Sequence, residues 1–275
     1  MKRLRLTQVF PCLLPLRLWQ KKSLFYMQME HDGHIYAKAK TARPLSHIVK
    51  ETSSLMMNMH SGYDISYQFN KIHNLKLAAK TINHLLIRPG ETFSFWSLVR
   101  YADRFEDFKD GLCVIDGQMT TVSGGGLCQL SGMLYYLFLH TPLTVIERHP
   151  HMVEYLPPTD ASALHGIDAT VNEGWQDLKV RNDTDITFQI IIIFNGVYME
   201  GCILADQPLD VSYDIINDTI EYVENETLIE NASVSRIQTD LATNEQTIEH
   251  LYTNHCQINY PLSSEERRGI NHVIH

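Results

Sequence analysis

Cys128 follows three consecutive glycines, Gly124, Gly125 and Gly126, and stands ahead of the apolar run Leu-Ser-Gly-Met-Leu-Tyr-Tyr-Leu-Phe-Leu at residues 130–139. That run holds no proline and is apolar nearly all round, which predicts an interior helix with the thiol in its first turn. There a sulfur faces unpaired backbone N–H groups and the positive end of the peptide dipoles, which favour thiolate over thiol. The chemistry on offer is nucleophilic attack. The glycines allow positive φ and close backbone approach, with room for a substrate group beside the sulfur. Gln129 and the backbone N–H groups of the glycine loop are candidate oxyanion donors. The competing reading is a buried Cys128 that only packs, since free cysteine is among the most buried residue types.

A thiol nucleophile needs a base, and the base needs a third group to orient it. Residues 144–155, rich in β-branched residues and bounded by prolines, read as an extended strand. On it Glu147, His149 and His151 would share one face, while Ile146 and Arg148 point the other way. Pro150 places this strand at a sheet edge or a bulge. A second strand, residues 165–171, would carry Asp168 seventeen residues after His151. This spacing favours His151 over His149 as the base. Gly124, Gly125, Gly126, Gln129 and Arg148 are the candidate substrate-binding residues. The order of thiol helix, imidazole strand and carboxylate strand resembles the layout of transglutaminase-like and papain-like thiol enzymes.

The elements that must position these groups predict an α+β fold: a central mixed or antiparallel sheet, a buried helix with Cys128 at its N-terminus, and a β-rich C-terminal appendage. Ile72, Leu75, Ala79, Ile82, Leu85 and Leu86 recur at helical spacing. Phe93 and Phe95 alternate with polar residues as in a strand. Two apolar runs around Asn195-Gly196 give the strongest hairpin signal, and residues 211–216 and 250–260 read as later strands with a turn near Asn244. The expected division is a basic lead-in over 1–70, a core over 71–204 and an acidic, β-rich appendage over 205–275. Trp96 and Trp175 flank motif segments and are better read as packing than as groove walls; Asp177 and Arg181 read as ordinary polar contacts.

Five motifs occur in an order that resembles VanW-domain proteins: Pro89-Gly90-Glu91-Thr92-Phe93-Ser94-Phe95, Gly124-Gly125-Gly126-Leu127-Cys128-Gln129, Glu147-Arg148-His149-Pro150-His151, Asp168-Ala169-Thr170-Val171 and Asp177-Leu178-Lys179-Val180-Arg181-Asn182. The basic start and residues 74–80 extend the likeness to stand-alone family members of vancomycin-resistance clusters. The resemblance implies a role around the bacterial cell wall in glycopeptide resistance, on peptidoglycan or its precursors. Some multidomain relatives are associated with L,D-transpeptidase chemistry, in which a cysteine attacks a stem-peptide carbonyl and passes the acyl group to an amine. Carried over, this assigns the nucleophile to Cys128 and the acid/base pair to His149 and His151. The link from Pro158 to Gly166 is longer than is usual in the family and adds His165.

With 275 residues, of which 44% are hydrophobic and 20% charged, the chain can bury one sizeable core, or one core with an appendage. Its net charge of −9 is uneven: residues 1–50 hold ten Lys/Arg against two acidic residues, whereas 205–275 hold three against thirteen. An acidic chain without aromatic platforms in its basic part is not expected to bind nucleic acid. Residues 9–16 resemble a short signal core broken by Pro11 and Pro15, and no run of about 18 apolar residues exists to span a bilayer. The expected location is therefore cytoplasmic or peripheral to the inner face of the membrane, an extracytoplasmic one remaining open; the basic, Leu-rich start is a candidate membrane-surface contact. Cys12, Cys113, Cys128, Cys202 and Cys256 form an odd set without a CxxC pair, as in a reduced compartment, and a Cys113–Cys128 disulfide would end the nucleophile reading. The Asn182, Asn217, Asn225 and Asn231 triplets read as turn chemistry. No cofactor is expected. Two alternatives to thiol catalysis stand: a zinc-dependent hydrolase using His149, His151 and Cys128 or Asp168, and a non-catalytic module that binds peptidoglycan precursors.

Overall fold

A computed structural model describes residues 11–59, 61–115, 117–157, 163–224, 226–262 and 270–272. Residues 2–10 of the basic start, Pro158 and Asn225 lie outside them. A short 3-10 turn, Pro11–Leu13, leads into helix α1 (Leu14–His31). Pro15 is accommodated there because the first helical turn has no N–H to lose. Strands β1 (Ile35–Tyr36) and β2 (His47–Leu55) precede α2 (Ser66–Ile82), β3 (Leu86–Ile87), β4 (Glu91–Ser94) and α3 (Phe95–Val99). The hairpin β5 (Asp110–Ile115) and β6 (Gln118–Ser123) comes next, then α4 (Cys128–Leu139). After β7 (Thr144–Glu147), β8 (Val153–Glu154) and β9 (Lys179–Arg181) the chain is entirely β: β10 (Phe188–Asn195), β11 (Tyr198–Ala205), β12 (Val211–Glu224), β13 (Leu228–Asp240), β14 (Gln246–Ile258) and β15 (Ile270–His272).

These strands form an α+β architecture of mixed and antiparallel sheets in the orders β1-β4-β9-β7, β2-β11-β10-β3 and β15-β12-β13-β14-β8, besides the β5-β6 pair. Asn195 and Tyr198 close the β10–β11 hairpin around Gly196, whose φ of +58° suits a residue without a Cβ. Helix α4 fills the interior. Leu130, Leu134, Leu137 and Phe138 are fully buried on it, each contributing about 2 kcal/mol. Its Met133 and Leu137 press onto β11 at Gly201, where a Cβ would stand 2.8 Å from the Met133 methyl. On another side of α4, Ser131 and Gly132 are small enough for residues 168–169 to lie directly on the helix: Ser131 Oγ donates to the Ala169 carbonyl at 2.5 Å, and a Cβ on Gly132 would meet that backbone at 3.9 Å. One apolar cluster runs from Phe25 and Met29 of α1 through α2 and α4 to Val234 of β13.

Three expectations need correction. Phe95 opens α3 instead of continuing a strand, because Ser94 caps that helix by accepting the Ser97 N–H at 3.0 Å. The strand over 144–155 is interrupted: β7 ends at Glu147 and β8 begins at Val153, with irregular backbone around Pro150. Residues 165–171 form no strand ladder; they pack on α4 through the contacts above. The C-terminal sheet also reaches the site segment, since β14 runs parallel to β8 and Gln257 N–H donates to the Met152 carbonyl at 3.0 Å.

Candidate active site

The approach to Cys128 is built by glycines, with φ of +79° at Gly124 and +93° at Gly126. Gly125 meets Gly111 of β5 main chain to main chain; a Cβ on either would stand within 2.4 Å of a carbonyl oxygen of the other. Buried Asn74 of α2 ties this junction, donating to the carbonyls of Lys109 and Gly125 at 2.8 and 3.0 Å and accepting the Lys109 N–H. The space that a side chain would need at Gly126 is filled by the stem of Lys71, whereas at Gly124 a Cβ would meet Phe108 only at ordinary contact and the positive φ is what favours glycine. Glycine therefore serves close chain packing here, where the sequence had suggested open room for a substrate group. Burial lowers the Lys71 ammonium to about 8.

Cys128 opens α4 without a side-chain cap, half-buried, with its Sγ 3.9 Å from the Val171 carbonyl. His151 feels the charge of this cysteine and lies against Asp168, its Nδ1 2.5 Å from Oδ2. The backbone N–H of His151 donates to the same oxygen. The His149 ring turns elsewhere, its Nε2 2.9 Å from Glu147 Oε1, while its carbonyl accepts the Thr170 N–H. The two imidazoles thus do not share a working face, and of the two it is His151 that meets the thiol. Among the described residues, no three His, Cys, Asp or Glu side chains converge as metal ligands.

Burial pulls the His151 imidazole down, but hydrogen bonds to Asp168 and Cys128, with their charges, outweigh it and hold its pKa well above the ordinary histidine value. Burial alone would raise Asp168; the His151 hydrogen bond and charge, the Arg148 charge and the His151 N–H keep it below the usual carboxylate value. Two further groups share this field. Cys113, a free thiol on β5, is raised by burial and by Cys128 and lowered by His151. Glu154 is pushed to about 7 by burial and by Asp168 and Glu230. Neither lies in a motif; only the fold brings them in. His165 lies 2.8 Å from Glu230, joining the long link to β13.

Arg148 converges with His151 on the Asp168 carboxylate instead of pointing away from it, and its donors are taken by protein. Nε donates to the Asp168 carbonyl at 2.7 Å, and Nη2 to Asp168 Oδ1 at 2.7 Å and to the Gly166 carbonyl at 2.8 Å. The guanidinium lies over Tyr252 and Tyr135, 4.6 and 5.3 Å from their ring centres. Gln129 likewise gives its Nε2 to Ser54 Oγ and the Leu55 carbonyl, both at 2.8 Å, while its Oε1 is buried without a partner. Asp177 is fully buried and holds the start of α3, accepting from Ser94 Oγ and the Trp96 N–H; burial raises it to about 6. Arg181 is half-exposed and pairs with Asp183, not Asp177. Trp96 is buried, whereas Trp175 is exposed.

The VanW-like protein family model matches residues 70–204, the stretch that carries the thiol, the imidazoles and both carboxylates. The vancomycin B-type resistance protein VanW of Enterococcus faecalis (strain ATCC 700802 / V583) is 49% identical over 264 residues, covering 95% of this chain and 96% of that protein. The chain belongs to the VanW family. A second match is the uncharacterized protein YoaR of Bacillus subtilis (strain 168), 30% identical over 139 residues, half of this chain and 44% of that protein. No solved structure matches the chain. Family membership links it to vancomycin resistance, and Cys128, His151 and Asp168 all lie within the matched region.

Proposed function

We propose that this VanW-family chain is a cysteine acyltransferase of the L,D-transpeptidase-like kind, acting on peptidoglycan stem peptides or their precursors in glycopeptide resistance. The observation that carries this reading is the contact series from Cys128 to His151 to Asp168, with His151 favouring its protonated form. A charged imidazole beside the sulfur suits a thiolate partner, and Asp168 fixes the ring so that the nitrogen opposite Nδ1 serves the thiol.

In the first half-reaction the Cys128 sulfur bonds to a stem-peptide carbonyl carbon, the C–N bond breaks, and His151 gives its proton to the departing amine. In the second, an acceptor amine or water attacks the thioester, His151 takes a proton from it, and the sulfur leaves with the bonding pair. The Cys128 backbone N–H is the donor for the intermediate oxyanion, because the Gln129 amide is engaged by β2 and the N–H groups of residues 129–131 close the first turn on the Gly126 and Leu127 carbonyls. Incubation with stem peptides followed by intact-mass measurement tests the reading: an acyl adduct mapping to Cys128 and absent from Cys128→Ala is the expected result. Cys128→Ala that keeps full resistance in cells would overturn it in favour of a precursor-binding module.

A further inference from the structure

We propose that the chain docks onto anionic phospholipid bilayers through a surface centred on α1. This helix turns Phe25 and Met29 into the core. Its outward face should then be polar, yet Leu16 and Trp19 are 62% and 66% exposed there, followed by the exposed Leu24 and Met27. The spacing puts Leu16, Trp19 and Met27 on the side opposite Phe25. Two other segments with exposed aromatic rings flank the helix. Trp175, exposed, lies beneath the Lys21 ammonium at 4.7 Å. Arg100 bridges α1 to the next loop, its guanidinium 3.8 Å over Tyr26 and 4.5 Å over the exposed Tyr101. That loop ends in Phe105, 94% exposed, with Arg104 over its ring.

Charge selects the occupant. From the first residue to Glu30 the sequence holds no acid and six cations: Lys2, Arg3, Arg5, Arg17, Lys21 and Lys22. Lys22 is engaged by Glu173 and half-buried Lys21 stands over Trp175, which leaves Arg17 as the exposed charge of the helix. Exposed Leu and Trp on an acid-free helix start match the boundary of a negatively charged bilayer, where apolar side chains enter the acyl edge and cations meet phosphates, while the Phe105 loop carries Asp103, Glu106 and Asp107 beside Arg104. A second copy would set Arg17 and Lys21 against their own like charges. Among the described residues no helix is long and apolar enough to cross a membrane, so α1 lies on the bilayer. The inference stands apart from acyl transfer. It also sets the surface near the site, since residues 171–175 run from the carbonyl facing Cys128 to Trp175.

Co-sedimentation of the purified chain with vesicles of phosphatidylcholine alone, or with a quarter phosphatidylglycerol, tests it, with tryptophan emission read in parallel. The expected result is binding only to the anionic vesicles, weakened by salt, with emission shifted to the blue. Leu16→Ser/Trp19→Ser and, separately, Phe105→Ser should each weaken it, the double variant roughly tenfold or more, with the unfolding midpoint unchanged. Absence of binding to anionic vesicles overturns the proposal, as does binding that survives both variants. Concentration-dependent dimerisation lost in Leu16→Ser/Trp19→Ser, without vesicle binding, overturns it in favour of self-association.

Discussion

Asp168 receives the ring Nδ1 and the backbone N–H of His151 on one carboxylate oxygen, each at 2.5 Å, while Arg148 holds the other oxygen at 2.7 Å. The base is therefore fixed by two residues of one Arg-His-Pro-His stretch gripping one carboxylate. Arg148 and Asp168 expose 10% and 20% of their side chains, so removing one partner strands a poorly solvated charge. Arg148→Met should destabilise the fold by about 3 kcal/mol in urea unfolding. Arg148→Lys should recover only part of this, because an ammonium cannot reproduce the fork to the Asp168 and Gly166 oxygens.

The same grip predicts how stability follows pH. His151 is raised in the folded state, so its contribution is complete below the ordinary histidine value and is lost as pH climbs through the raised value. Asp168 is lowered, and its contribution is present above the ordinary carboxylate value and lost as pH falls through the depressed one. Glu154, at about 7 when folded, is most favourable protonated, and its ionisation destabilises the fold as pH rises from about 4.5 to about 7. Urea midpoints across pH 4 to 9 should fall at the alkaline end, His151→Gln flattening the upper part. Glu154→Gln should gain about 2 kcal/mol at pH 8 and little at pH 4.

His149 and His151, equivalent on an ideal strand, should separate in kinetics. His151→Ala removes the proton carrier and should slow alkylation of Cys128 by iodoacetamide and lower acyl transfer by about 100-fold to 10,000-fold. His149→Ala frees Glu147 for Lys179, already 3.2 Å away, and should leave both rates within about threefold. Equal losses in the two variants would contradict this division of roles.

Two glycines near the thiol should respond oppositely to alanine. Gly132→Ala meets only ordinary contact at 3.9 Å in a helix and should be neutral or stabilising by about 0.5 kcal/mol in thermal unfolding. Gly125→Ala drives a methyl to 2.2 Å from the Gly111 carbonyl oxygen, where backbone must move, and should destabilise by about 3 kcal/mol or more.

The thiol helix and the β10–β11 hairpin are readable from sequence because each rests on a local cause: an uninterrupted apolar run in one, an Asn-Gly turn between apolar runs in the other. The β5–β6 hairpin carries a comparable signal in Asp116-Gly117, but only β5 is apolar and the Gln-Met-Thr-Thr-Val-Ser of β6 gives no matching apolar run. The strand expected over 144–155 fails for a non-local reason. Pairing of His149 with Glu147 and of His151 with Asp168 bends the chain at Pro150, and no two-residue periodicity records that. The pairing of His151 with Asp168 was legible through their spacing. The roles of Arg148, Glu154 and Cys113 were not, since they depend on β14, β13 and β5 arriving from far along the chain.

Where Gly111 and Gly125 touch, the β5–β6 hairpin and the loop before the sulfur have no side chain between them to absorb a displacement. Tilting the hairpin must carry the loop with it. The hairpin is thus a ruler laid against the first turn of the buried helix, and anything that grips its outer end gains mechanical leverage over where the thiol is held.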